Sequence, residues 1–264
     1  MSEILDWSID KIQDDVYRTK FVELPRIINE WTEPYGGITG KTILDFGCGE
    51  ATTAIGLALK YEPKRVVGVE IQSNIQECLP LAKEQIGIGR LPERLELKQI
   101  SPGDSLDDGT KYDLIYSWSV FEHVEQSLIP RALESLRQVI KPNGILFIQI
   151  APLYYSAEGS HMMPWVRVPW GHLIYQHDIF YHNLARVVGD GEELRSLWST
   201  YRTLNKLTAP QLVDAVKAAG FEIVRDYRTK DEYDIPSSLR AIFQEDVLTT
   251  NQIVILARAA EIDK

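Results

Sequence analysis

A doubly wound, mostly parallel α/β sheet is the fold this sequence predicts, and three observations predict it. Short apolar runs alternate with helical runs from Thr42 onward. Those runs are continuously apolar, as strands covered on both faces require. A glycine-rich turn, Asp45-Phe46-Gly47-Cys48-Gly49, joins the first run directly to a helix. Such a turn lies at the carboxyl edge, where open parallel sheets bind ligands.

Residues 1–40 read as a helical, partly amphipathic cap. Ile9, Ile12 and Val16 recur at helical spacing, as do Leu24, Ile27, Ile28 and Trp31. Pro34-Tyr35-Gly36-Gly37 ends that region. Strand–helix alternation follows over residues 41–151. Strands are expected at Thr42–Phe46, Arg65–Val69, Leu95–Ile100, Tyr112–Ser117 and Ile145–Ile150. Helices are expected at Ala51–Tyr61, Ser73–Ile86 and Leu128–Ile140, the last closed by Lys141-Pro142-Asn143-Gly144. The alternation breaks at Pro152, and residues 152–207 read as an irregular, aromatic-rich insertion. Thr208-Ala209-Pro210 then starts a helix with proline in its first turn. Two more strands, Phe221–Tyr227 and Ile253–Ala257, bring the total to seven, with one helix over 236–243 between them. No second core is evident, so 1–264 reads as one domain with an insertion after strand five and a closing helix-and-strand segment, 208–264.

Composition narrows the partners. The chain has 264 residues and a formal net charge of −10 from 28 basic and 38 acidic side chains. An acidic chain repels phosphate backbones, so no nucleic-acid partner is expected. Cys48 and Cys78 give neither a disulfide framework nor metal-ligand spacing. The acidic start, Met1 to Asp6, lacks an apolar core, and no stretch approaches the roughly 18 apolar residues of a membrane span. A cytoplasmic location is expected; the oligomeric state is not legible.

The chemistry concentrates at strand ends. A glycine turn lets backbone approach a ligand closely, but here an acid, Asp45, precedes it. A carboxylate there opposes phosphate and accepts from an amino group. A second acid, Glu70, ends the second strand, where a carboxylate accepts ribose hydroxyls. With these residues, and with Ser117-Trp118-Ser119-Val120-Phe121-Glu122-His123 after strand four, the chain resembles the class I S-adenosylmethionine (SAM)-dependent methyltransferases, in the branch with a methyltransferase type 11-like core. The likeness is strong over about residues 40–151.

The resemblance implies a Rossmann-like sheet whose last strand is antiparallel, with SAM as cofactor. It implies that Asp45, Gly47, Cys48 and Gly49 hold the amino-acid part of SAM. Glu70 would hold the ribose, with Ile71 packed on the adenine beside Gln72. Asp104, or its neighbour Ser101, would lie near the adenine amino group, and Ser117 and Trp118 would line the cofactor. Ala51 replaces the usual third glycine, which predicts a slightly tighter fit. His123 becomes a candidate general base.

The other four histidines, His161, His172, His177 and His182, all fall in the insertion. Long ordered loops in compact domains are usually functional. The stretch Gly159 to Leu173 is therefore expected to wall an acceptor site, with His161 and His172 as further candidate bases. His177-Asp178 with His182 offers metal-ligand types at short spacing, but nothing fixes a geometry, and no metal is expected. The expected reaction is methyl transfer to a small-molecule hydroxyl, on a sugar, glycan or natural product. An amine or carboxylate acceptor, a nicotinamide oxidoreductase and a non-catalytic SAM-binding protein are the alternatives.

Overall fold

The computed structural model describes residues 12–260; Ile9, expected on the amphipathic face, lies outside them. The helices are α1 (Asp15–Arg18), α2 (Leu24–Thr32), α3 (Thr52–Lys60), α4 (Cys78–Ile86), α5 (Ile129–Val139), α6 (Gly171–Ile174), α7 (His177–Val188), α8 (Glu192–Thr203), α9 (Ala209–Ala218), α10 (Ser237–Arg240) and α11 (Glu245–Thr249). The strands are β1 (Thr42–Phe46), β2 (Arg65–Glu70), β3 (Leu95–Gln99), β4 (Tyr112–Trp118), β5 (Ile140–Ile150), β6 (Phe221–Lys230) and β7 (Thr250–Ala259). They form one seven-stranded sheet in the order β3-β2-β1-β4-β5-β7-β6. The order reverses between β1 and β4, the switch point at which open α/β sheets bind ligands. Among the described residues no helix is long and apolar enough to cross a membrane.

The chain divides into two compact units. The first comprises the chain up to Ser117 together with Gln138–Leu146. In it β1 runs parallel to both β2 and β4, and β2 runs parallel to β3. Ile43, Leu44, Val66, Val67, Leu114 and Ile115 fill its core. Between α1 and α2 the chain makes a π-helical turn, Thr19–Glu23. The extra residue per turn rephases the apolar stripe. Tyr17, Phe21 and Ile28 are buried. Val16, expected on one helical face with Ile12, is 65% exposed, because the helix starts only after the Asp14 cap and Ile12 precedes it. The segment lies directly on α3. A Cβ on Gly56 would sit 2.3 Å from Phe21 O, so only glycine permits the approach.

The second unit comprises Trp118–Arg137 and the chain from Phe147 onward. Here the expectation of an irregular insertion fails, because α7 and α8 each run 12 residues. They enclose a core of their own, made by Met162, Val166, Phe180, Leu184, Leu194, Tyr201 and Leu204. A second cluster gathers around Trp170, whose indole N–H donates to Tyr155 O (3.1 Å) and Leu248 O (3.2 Å). Thr208 and Gln211 close a capping box on α9. The antiparallel pair β6–β7 is longer than expected, at ten residues a strand. The single helix expected over 236–243 is instead the short α10, with α11 after it.

Candidate functional site

In the first unit the glycine turn folds back on β2. Gly47 N–H and Cys48 N–H both donate to Val69 O, at 2.9 and 3.0 Å. Gly47 and Gly49 take positive φ values of 82° and 56°, where a side chain would strain the backbone. Ala51, which stands where the usual third glycine would, adopts the left-handed conformation itself, at φ 56°. For an L-residue that costs about 1–2 kcal/mol.

Two carboxylates flank the turn. Asp45 is buried and accepts a 2.5 Å hydrogen bond from the Tyr116 hydroxyl. Burial pushes the Asp45 carboxyl up to about 7; the nearby Glu70 charge adds to the rise, and the Tyr116 bond opposes it. Glu70 accepts three backbone N–H groups, from Gly49 (2.8 Å), Ile71 (2.7 Å) and Gln72 (3.0 Å). Of the four acceptor positions on a carboxylate, one remains for a ligand hydroxyl. Asn74, against Gly49, keeps its buried Oδ1 without a partner. A backbone-lined turn with free acceptors and acidic neighbours fits a ligand carrying an ammonium and hydroxyls, as SAM does, and opposes a pyrophosphate.

The other residues expected at the cofactor are placed as follows. Ile71 and Gln72 are exposed at the end of β2, which leaves the Ile71 side chain free to cover a flat ring. Asp104 accepts from Ser101 N (2.7 Å) within its own turn, and among the described residues no hydrogen bond joins it to the cradle. The Ser117 hydroxyl donates to Phe46 O (3.0 Å), tying β4 to the end of β1. Trp118, in the second unit, stacks on Phe147 with ring centroids 5.9 Å apart.

The second unit gathers the three candidate bases. His123 and His161 meet edge to face at 5.4 Å between centroids. His161 Nε2 lies 3.2 Å from Pro152 O, and His172 Nε2 lies 2.5 Å from Tyr154 O. A carbonyl only accepts, so both rings carry their proton on Nε2 and present a bare Nδ1. His123 is the reverse. Thr203 Oγ1 donates its hydrogen to Thr200 O (2.7 Å), so at 2.7 Å it accepts from His123 Nδ1–H, and the His123 lone pair is on Nε2. Burial holds the imidazoles neutral, lowering His123 and His172 to about 4 and lowering His161 as well. His172 Nδ1 is buried with no partner. The three neutral imidazoles thus offer acceptors, which suits a ligand that donates hydrogen bonds.

His177 and His182 stand apart from this group. His177 packs on Trp198, and His182 Nδ1 lies 2.6 Å from Asp178 O one helical turn back. Among the described residues no three His, Cys, Asp or Glu side chains converge on a metal position. The stretch expected to wall an acceptor mostly packs inward, with Met162, Val166 and Trp170 buried. Ser119 and His161 both hold positive φ without being glycine, and such strain clusters at functional sites.

Asn205 carried no sequence signal. Asn205 donates from Nδ2 to Phe121 O and Val124 O, each at 2.6 Å, and its N–H donates to Glu122 O at 2.8 Å. It clamps the turn that bears His123. Losing the two side-chain bonds in Asn205→Ala is expected to destabilise the protein by about 1–3 kcal/mol. Urea unfolding measures this; a wild-type midpoint would refute the clamp.

Glu122 is buried with both carboxylate oxygens unpartnered. Ser119 lies close enough to moderate its titration, but the Ser119 hydroxyl is donated to Gln149 (3.1 Å). Burial raises the Glu122 carboxyl to about 8. In the unfolded chain a glutamate ionises near ~4.3. The folded state therefore holds the extra proton between those values, and stability is lost as pH rises through about 8. Glu122→Gln is expected to raise the melting temperature at pH 8 and leave it unchanged at pH 4. Equal shifts at both pH values would rule out this linkage.

Comparison with known proteins follows the same lines. A family model described as a methyltransferase domain matches residues 19–226. A ubiquinone biosynthesis O-methyltransferase from Rickettsia canadensis is 33% identical over 128 residues, 48% of this chain and 50% of that protein. The chain thus aligns with about half the length of that relative. Among solved structures, a putative sarcosine dimethylglycine methyltransferase from Galdieria sulphuraria superimposes with a TM-score of 0.57 at 13% identity, covering 97% of this chain and 92% of that one. A magnesium protoporphyrin IX methyltransferase from Synechocystis, with bound SAH, gives 0.55 at 15% identity, covering 95% and 86%.

Proposed function

The chain belongs to the methyltransferase-domain family, with SAM as methyl donor, and from that premise we propose that it methylates a hydroxyl group of a small molecule. The observation that carries the reading is the bare Nε2 of His123, set by the Nδ1–H bond to Thr203. The relative from Rickettsia canadensis, an O-methyltransferase by name, supports a hydroxyl acceptor over an amine. A sugar, glycan or natural-product hydroxyl is the acceptor class.

SAM supplies a methyl group already activated on sulfonium. In the proposed assignment Asp45, Gly47, Cys48 and Gly49 hold its amino-acid part, Glu70 its ribose and Ile71 its adenine face. Gln72, Asp104 and Ser117 complete the surround. The protein chiefly aligns the two reactants and excludes water.

The acceptor hydroxyl donates to His123 Nε2. On methylation, with the donor leaving as a neutral thioether, the acceptor oxygen's remaining proton would become strongly acidic and pass to His123 Nε2. A weakly basic imidazole suffices, because it takes the proton only once the new bond is forming. His161 and His172, neutral and edge-on, supply further acceptors for a polyhydroxylated molecule.

The test is transfer of a radiolabelled methyl group to a panel of phenols, sugars, amines and carboxylic acids. Label is expected in the hydroxyl compounds. Label confined to amines or carboxylates would overturn the reading.

A further inference from the structure

We propose that Tyr17 and Asn74 complete the cofactor site by binding the methionine end of SAM: the Tyr17 hydroxyl donates to its carboxylate, and Asn74 Oδ1 accepts from its ammonium. The proposal rests on the SAM reading above and extends it to the N-terminal helical segment, which the sequence marks only as a cap.

Tyr17 is 3% exposed, and its hydroxyl has no hydrogen-bond partner. A buried polar group left unpaired costs about 1–3 kcal/mol. Nothing loose in the local structure explains it. The Asp14 side chain caps the helix by accepting from Val16 N (2.8 Å) and Tyr17 N (3.0 Å). The Tyr17 ring stacks on Phe21 with centroids 5.7 Å apart.

Asn74 is the matching acceptor. Its Nδ2 faces Glu50 Oε1 at 3.5 Å; a carboxylate only accepts, so the unpaired buried atom is the amide oxygen. Both groups are linked to Glu50, the residue that follows the glycine turn, Asn74 directly and Tyr17 through its neighbours Lys20 and Cys78. Lys20, one helical turn after Tyr17, pairs with Glu50 at 3.2 Å. Cys78 lies within electrostatic reach of both the Tyr17 hydroxyl and Glu50. Burial pushes the Tyr17 phenol well above its ordinary range, so it remains a donor at physiological pH. One buried donor and one buried acceptor without partners match the carboxylate and ammonium of a zwitterion.

The test uses two probes, S-adenosylhomocysteine and 5′-methylthioadenosine, which lacks the amino-acid end. Calorimetric titration of the full chain compares wild type with Tyr17→Phe and Asn74→Ala. Each variant is expected to bind S-adenosylhomocysteine about tenfold more weakly and methylthioadenosine as wild type does. Tyr17→Phe is expected to melt no lower than wild type without ligand, since it removes an orphaned hydroxyl. Equal losses for both probes would show local collapse and overturn the proposal, as would wild-type affinity for both. Failure of the wild type to bind either probe would instead overturn the SAM reading, and the proposal with it.

Discussion

Replacing His123 with alanine is expected to lower kcat by about 10²–10⁴-fold, the usual worth of a positioned base. Affinity for S-adenosylhomocysteine should be unchanged, because the cradle groups belong to other elements. The tautomer makes the expectation specific. Thr203 accepts from Nδ1–H and leaves Nε2 bare. Thr203→Val removes that acceptor and frees the ring to carry its proton on either nitrogen, so an intermediate loss of activity is expected. The pH profile separates this base from an ordinary exposed histidine. Burial holds His123 at about 4. Activity should therefore persist below pH 6 and fall only as protonation of Nε2 sets in near pH 4. Wild-type turnover in His123→Ala would remove the base from the mechanism, and an acid limb near 6.5 would contradict the burial.

Glu70→Ala is expected to weaken S-adenosylhomocysteine binding by about 100-fold or more, since hydrogen bonds to a charged group contribute about 1.5–3 kcal/mol each. The carboxylate acts in two ways. It gathers the N–H groups of Gly49, Ile71 and Gln72, which gives the turn its shape, and it keeps one acceptor position for a ligand hydroxyl. Removing it strands three donors, so the melting temperature should fall as well. Glu70→Gln keeps the volume but replaces one acceptor oxygen with a donor, and an intermediate loss is expected. Calorimetry and thermal unfolding measure the two effects separately. Wild-type affinity in Glu70→Ala would exclude Glu70 from the cofactor site.

Much of the cradle was legible because its chemistry is local. The glycine turn, Asp45 and Glu70 lie at the ends of apolar strands that can be read from hydrophobic runs; the switch point came only with the strand order of the folded sheet. The insertion was not legible as helix. Phe180 and Leu184, and Leu194 and Tyr201, recur at near-helical spacing, but histidines and arginines between them hide the stripe. The lead-in misled for a different reason. The helix starts only at Asp15, so the Ile12–Val16 spacing is not helical, and Val16 faces solvent.

The sequence by itself determined the sheet, the family and the acidic glycine turn, because each depends on neighbours a few residues apart and on the period of the apolar pattern. Only the tertiary structure decided how those groups are tuned. Asp45 meets Tyr116, which is 71 residues away in the chain, and His123 meets Thr203, which is 80 away. The raised pKa of Asp45, the free nitrogen of His123 and the orphaned hydroxyl of Tyr17 are all consequences of burial and long-range pairing. No local pattern encodes them, because desolvation is a property of everything packed around a group.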